Sequence, residues 1–268
     1  MVDLHVHALP EVDDGPRSVD ESLELLRSAH AEGIRVVAAT PHLRQDFPGV
    51  RVAQIAEHCR ALTELLDTSG VALRLVPGAE VDYEWARDAS THELGLASFD
   101  QRGSDLLLET PYGPITPAFE DVLFRLAAKG FRVTLAHPER SPTFQAEPLR
   151  LEAMVGRGAL VQLTAGTLLG NPRRSASVRL AFVLLERGLA HVIASDAHGA
   201  ATDRSGSLSQ AVTVATSHVG DRAEWMVTDA PAAILAGESL PSAPALRGRP
   251  GRRLARRVRA VLPPRRKS

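Results

Sequence analysis

With 268 residues, 44% of them hydrophobic and 24% charged, the chain has the balance of a soluble folded protein, which excludes disorder as the default and leaves room for two domains or one α/β barrel. The single cysteine, Cys59, excludes an internal disulfide framework. The net charge of −1 hides an asymmetry: residues 247–268 hold ten Arg or Lys and no acid, so the rest of the chain carries 21 basic against 32 acidic residues, a net −11.

The N-terminal MVDLHVHALPEVDDGP has an acid at position 3 and no long apolar run. It reads as neither signal peptide nor membrane span, and a cytoplasmic location is the simplest expectation. After a first apolar run at Val2 to Val6, helical spacing appears over 18–33, with Gly33 as a stop. A β-branched run, Ile34 to Ala39, is followed by a helix pattern through Val52 to Leu66. Further apolar runs fall at 73–76, 106–108, 133–136, 160–163 and 192–194, with helix-like stretches at 116–129, 146–157, 174–188 and 205–218. Seven strand–helix units predict a parallel α/β, barrel-like single domain. Residues 221–237 read as one or two closing helices, with Asp229 as N-cap and Pro231 in the first turn. The folded body is expected to span 1–240, with a Pro/Arg-rich basic tail over 241–268.

In parallel barrels the chemistry sits at the C-terminal ends of the strands. Six of the seven runs end in His or a carboxylate: VDLHVH in His5 and His7, VVAATPH in His42, LRLVPGAE in Glu80, DLLLE in Glu109, VTLAH in His137, and VIASDAH in Asp196 and His198. Side chains along a strand repeat every two residues, so His5 and His7 share a face, as do Asp196 and His198. Imidazole mixed with carboxylate, without thiolate, suits catalytic Mn, Fe or Zn rather than a structural zinc site, and so many ligands exceed the needs of one ion. In EVDDGP, Asp14 is the preferred additional ligand, and Asp13 serves the turn.

Taken in order, HVH, VDDGP, ATPH, GAE, AHPER and SDAH resemble the polymerase-and-histidinol-phosphatase (PHP) superfamily. They are most similar to its metal-dependent tyrosine-protein phosphatases of the CpsB/CapC/YwqE type. The resemblance runs from Met1 to about Gly237 and implies a distorted TIM-like (β/α)7 barrel, the PHP fold. It also implies three divalent metal ions, manganese first, with iron or zinc as alternatives. His5, His7, Glu80 and Asp196 would hold one ion, with Glu80 bridging to a second completed by Glu109 and His137. Asp14, His42 and His198 would hold the third. Arg140, in HPER, and Arg204, beyond SDAH, would bind phosphate. The loop GAATDR is longer than the family pattern by a residue, which leaves a solvated arginine as the alternative for Arg204.

The implied chemistry is attack of a metal-bound hydroxide on phosphorus, with a phenol of pKa about 10 as leaving group. A thiol mechanism is not expected, because a C-x5-R loop starting at Cys59 needs arginine where Leu65 stands. His30, His58, His92, His191 and His218 are assigned to structure or surface; Tyr83 and Trp85 either line the cleft or pack at the barrel edge. The implied substrate is an autophosphorylated, membrane-associated tyrosine kinase of capsular or exopolysaccharide synthesis. The alternatives are a histidinol-phosphate or other small-molecule phosphatase and a non-catalytic kinase-binding scaffold. In the tail, Leu254, Val258 and Val261 share a helical face among arginines, which suits an anionic membrane surface, an acidic partner or plain solubility. Nucleic acid is not expected, since no aromatic platform accompanies the arginines.

Overall fold

The computed structural model describes residues 1–200 and 207–246. Nine strands occupy the seven expected positions: β1 (Val2–Val6), β2 (Val36–Ala39), β3 (His42–Leu43), β4 (Arg74–Pro77), β5 (Glu80–Val81), β6 (Asp105–Glu109), β7 (Arg132–Ala136), β8 (Leu160–Thr164) and β9 (Val192–Ala194). Two of the expected runs are separated by a break from the chemical residue that follows them. The backbone leaves the ladder at Thr40–Pro41 and at Gly78–Ala79, then re-enters it as β3 and β5. Proline supplies no N–H donor, which interrupts a ladder at Pro41. The strands are all parallel, in a sheet β1-β2-β4 and a sheet β3-β5-β6-β7-β8-β9.

Beyond β9 the chain runs against β1. The Asp196 amide donates to the His5 carbonyl at 2.8 Å, the His7 amide donates to the Ala197 carbonyl at 2.8 Å, and Val6 bridges Ala197 in parallel.

Strand alternation divides the apolar side chains into two layers. Leu106, Leu108, Val133, Leu135, Val161, Leu163 and Ile193 face the larger core shared with the surrounding helices. Leu107, Leu160, Val192 and Ala194 join a second, inner layer with Leu4, Val76, Phe99 and Ile234. Two residues further along, the inner positions turn polar: Glu109 follows Leu107, Gln162 follows Leu160, and Asp196 follows Ala194, all buried. One face of each strand therefore begins as core and ends as chemistry.

The helices start at polar caps. Ser18 accepts from the Glu21 amide before Val19–Ala31, Thr116 from Phe119 before Pro117–Ala128, and Ser175 from Val178 before Ala176–Glu186. The last helix, Asp229–Ala236, has Thr228 at the cap position, so Asp229 is its first residue rather than its N-cap. Short helices at Tyr83–Asp88, Thr91–Ala97, Pro142–Ala146 and Ala165–Leu168 are too brief to leave a periodic signal in the sequence. No helix among the described residues is long and apolar enough to cross a membrane.

His191, at the start of β9, accepts a hydrogen bond from the Val161 amide at Nδ1, 3.1 Å. Burial, with nearby Arg222, pushes its pKa from 6.5 down to about 4. A histidine whose folded pKa is depressed contributes fully above the unfolded value, and that contribution is lost as pH falls from 6.5 toward 4. Because the ring is only half-buried, the effect is expected to be roughly 1–2 kcal/mol. In urea unfolding, His191→Gln should flatten the acid limb of the stability curve; a slope unchanged from the wild type would contradict this.

Candidate metal centre and its cleft

β1 supplies His5, and His7 follows directly on its end. The break at Thr40–Pro41 is tied to β1 by the Thr40 hydroxyl, which accepts from the Val6 amide at 3.0 Å. Across the breaks His42 pairs in register with Glu80, and Glu80 pairs with Leu107 of β6. The irregularity brings two more chemical side chains to the level of His5 and His7.

Glu80 is the hub. Its Oε2 lies 3.2 Å from His5 Nε2, 3.4 Å from His7 Nε2 and 3.0 Å from His42 Nδ1, and its Oε1 lies 2.8 Å from His137 Nε2. Asp196 Oδ1 stands 3.3 Å from His5 Nε2 and 3.6 Å from His7 Nε2. Asp14 Oδ1 stands 3.3 Å from His198 Nε2 and 3.6 Å from His42 Nε2. Ligand atoms within 4.8 Å of one another form four overlapping sets: His7, Asp14, His42 and His198; His5, His137 and Asp196; His5, His7 and Glu80; and His42, Glu80 and Glu109. The structure thus brings together all nine residues singled out in the sequence, with a different grouping at three points. His137 sits with His5 and Asp196, His42 also joins Glu80 and Glu109, and His7 also joins Asp14, His42 and His198.

The donor set fits divalent metal. His42 Nδ1, Glu80 Oε2, Glu109 Oε2 and His137 Nδ1 are buried without an aligned hydrogen bond, a costly state for polar atoms that a cation would relieve. Imidazole nitrogen and carboxylate oxygen without sulfur match Mn, Fe or Zn.

Outer contacts aim the ligands. His5 Nδ1 is 3.1 Å from Gln162 Oε1, His7 Nδ1 is 2.8 Å from Asp13 Oδ2, and His198 Nδ1 is 2.9 Å from the Asp196 carbonyl. Each contact occupies Nδ1 and leaves Nε2 facing the cluster. Asp13 also accepts from the His42 and Gly15 amides, both at 3.0 Å. Glycine is required at position 15, where a Cβ would lie 2.6 Å from the His7 carbonyl oxygen. Gln162, from the one run with no His or carboxylate at its end, also accepts from the His137 amide at 3.2 Å. His137 and Asp196 hold left-handed backbone, φ 36° and 56°, a strain that non-glycine residues keep where the surroundings over-determine them.

The electrostatics favour bound positive charge. Burial pushes Glu80 up, but His5 and His137 outweigh it and hold the carboxyl well below its usual range. Burial, then Glu80, raises Glu109 to about 7. A hydrogen bond from His198 brings Asp14 down to about 2. For His7, burial opposes the charge, yet Asp13, Asp196 and Glu80 keep its pKa well above normal.

The family model described as "Capsular polysaccharide synthesis, CpsB/CapC" matches residues 1–236. The chain belongs to the CpsB/CapC family. It is 31% identical over 234 residues to tyrosine-protein phosphatase YwqE of Bacillus subtilis (strain 168), covering 85% of this chain and 89% of that one. It is 26% identical over 206 residues to tyrosine-protein phosphatase CpsB of Streptococcus pneumoniae, covering 74% and 83%. A solved structure from a study of YwqE and CpsB, described as metal-dependent tyrosine phosphatases, superposes with a TM-score of 0.79 at 28% identity, covering 93% of this chain and all of the other.

In this CpsB/CapC chain the cluster opens into a cleft of about 960 Å³. Arg140 lines it, its Nη1 2.7 Å from Asp196 Oδ2. Three neighbours had no sequence signal of their own. Arg44 donates to Glu109 at 2.8 Å and pairs with Asp46, Phe47 stacks on His42 at 5.2 Å, and Tyr112 stands beside Arg140. The segment 166–178 also lines the cleft, through Thr167, Asn171 and Arg174. Tyr83 and Trp85 do not line the cleft; both pack against the core, Tyr83 edge-on to Phe119. His30, His58, His92, His191 and His218 lie outside the cleft lining, with His218 paired to Glu186. Arg204 and the tail 247–268 lie outside the described residues. Cys59 is buried in Ile55–Thr68, its thiol pushed by burial up to about 12.

Proposed function

We propose that this chain is a metal-dependent protein-tyrosine phosphatase acting on an autophosphorylated bacterial tyrosine kinase in capsular or exopolysaccharide synthesis. The observation that carries the reading is the convergence of nine His, Asp and Glu side chains in one cluster, seven of them lining a cleft that also holds Arg140. The relatives' names supply the substrate class. The reading takes 1–240 as one phosphoesterase domain closed as a distorted (β/α)7 barrel, a closure supported by the hydrogen bonds between 195–197 and β1. It assigns His5, His7, Asp14, His42, Glu80, Glu109, His137, Asp196 and His198 to three ions, manganese first. The basic tail 247–268 and Arg204 are given docking and phosphate-binding roles on sequence grounds.

Bound divalent ions supply Lewis acidity and a water acidified to near neutrality. The protein's own part is positioning. Asp13, Gln162 and the Asp196 carbonyl fix the imidazoles, so the ligands need no reorganisation. Arg140, held between Asp196 and Tyr112, offers a planar fork to two phosphoryl oxygens. No thiolate is available, since Cys59 is buried and its thiol stays protonated. A phenol departs without strong proton donation, which suits a cleft whose carboxylates are committed to metal.

The test is a substrate and metal screen. Protein loaded in turn with Mn, Fe or Zn is expected to hydrolyse a phosphotyrosine peptide in preference to histidinol phosphate, with EDTA abolishing turnover and added metal restoring it. Preference for histidinol phosphate would move the chain to the small-molecule branch of the superfamily. Absence of both bound metal and turnover would leave a kinase-binding scaffold.

A further inference from the structure

Among the described residues seven large hydrophobic side chains are exposed, and Tyr112, 56% exposed, is the one that lines the metal-ligand cleft. Scattered exposed apolar residues are ordinary on a protein surface; this one is tied to the chemical groups on one side only. Its ring stacks on that of His137 at 5.8 Å and 25°. Its hydroxyl accepts a hydrogen bond from Arg140 Nη1 at 3.3 Å. Phe47, the other aromatic beside the cluster, lies against the His42 ring and under the Arg44 guanidinium at 5.3 Å, and it does not line the cleft. An aromatic surface beside the phosphate-binding arginine is therefore offered by Tyr112.

We propose that Tyr112 is a specificity-determining residue that selects aryl over alkyl phosphate esters by packing against the substrate's phenol ring. The inference rests on the phosphatase reading above and adds the origin of its substrate preference. A phosphoryl group held by Arg140 lies next to Tyr112, because the same guanidinium nitrogen contacts the tyrosine hydroxyl. In phosphotyrosine the ring is bonded directly to the ester oxygen, so it starts where Tyr112 stands. A phosphoserine or a phosphorylated alkyl alcohol carries no π-face at that distance. Aromatic pairs in offset or edge-on geometry gain enough beyond simple burial to change affinity about twofold to tenfold.

The measurement is the ratio of kcat/KM for phenyl phosphate to that for glycerol 2-phosphate, using the full chain loaded with manganese. Comparing variants by this ratio cancels the intrinsic difference between the two leaving groups, and metal content is measured alongside. Y112A and Y112L are expected to lower the ratio about twofold to tenfold, mainly through KM for the aryl ester. Y112F, which keeps the ring and loses the hydroxyl, is expected to retain the wild-type ratio. A wild-type ratio in Y112A, whatever happens to the two rates, would overturn the proposal. Equal losses of the ratio in Y112F and Y112A would also overturn it, since the hydroxyl on Arg140 would then be the cause. Hydrolysis of neither ester by metal-loaded wild type would overturn the phosphatase reading itself, and the role of Tyr112 with it.

Discussion

Glu80→Gln is expected to empty the metal centre and abolish turnover. The substitution keeps the shape of a side chain that is 1% exposed, so packing survives while the charge is lost. Four imidazoles lie within 3.4 Å of its two oxygens, and no other carboxylate in the cluster faces so many. Removing one partner from a buried ionic network costs about 3–5 kcal/mol. Expressed as weaker metal binding, that is on the order of a hundred- to a few thousandfold in affinity. Elemental analysis of the purified variant, beside turnover at saturating manganese, measures the effect. Wild-type metal content in Glu80→Gln would remove Glu80 from the hub.

Arg140→Ala carries the second large effect, and the two variants separate metal holding from phosphate holding. The Arg140 guanidinium reaches the cluster through Nη1, which pairs with Asp196 Oδ2 and also donates to the Tyr112 hydroxyl. Its loss is expected to lower kcat/KM by roughly a hundred- to a thousandfold, the scale of removing one preorganised donor to a developing anion, with metal content intact. Arg140→Lys should recover only part of this, because an ammonium is a point charge without the guanidinium's paired donors. Loss of metal in Arg140→Ala would show that the arginine works by holding Asp196 in place.

The strand ends were legible because β-strand periodicity and the parallel order of the strands turn sequence order into position. His5 and His7, two apart at the end of β1, were expected to share a face, and Glu109, His137 and Asp196 each follow an apolar run that the structure makes a strand. The breaks before His42 and Glu80 were not legible. The apolar runs stop at Ala39 and Val76, and only the pairing of β3 with β5 shows that the ladder resumes at His42 and Glu80.

The supporting residues escaped for a different reason. Gln162 reaches His5 across 157 positions and Arg44 reaches Glu109 across 65; no local pattern encodes such partners. Asp13 stands beside the candidate ligand Asp14 in EVDDGP, and its turn chemistry was visible, but its bond to His7 appears only once the loop folds back. Tyr112 had no signal at all, since it follows Glu109 by three residues in a loop rather than on a strand.

The one cysteine carries a consequence beyond mechanism. Sulfur chemistry with peroxides and thiol reagents requires an accessible thiolate. Cys59 is 2% exposed, lies on a helix away from the cleft, and holds its proton to about pH 12. An oxidative burst that silences thiolate phosphatases therefore finds no sulfur target in this active site. The proposed dephosphorylation then depends on metal supply and not on the oxidation state of a cysteine.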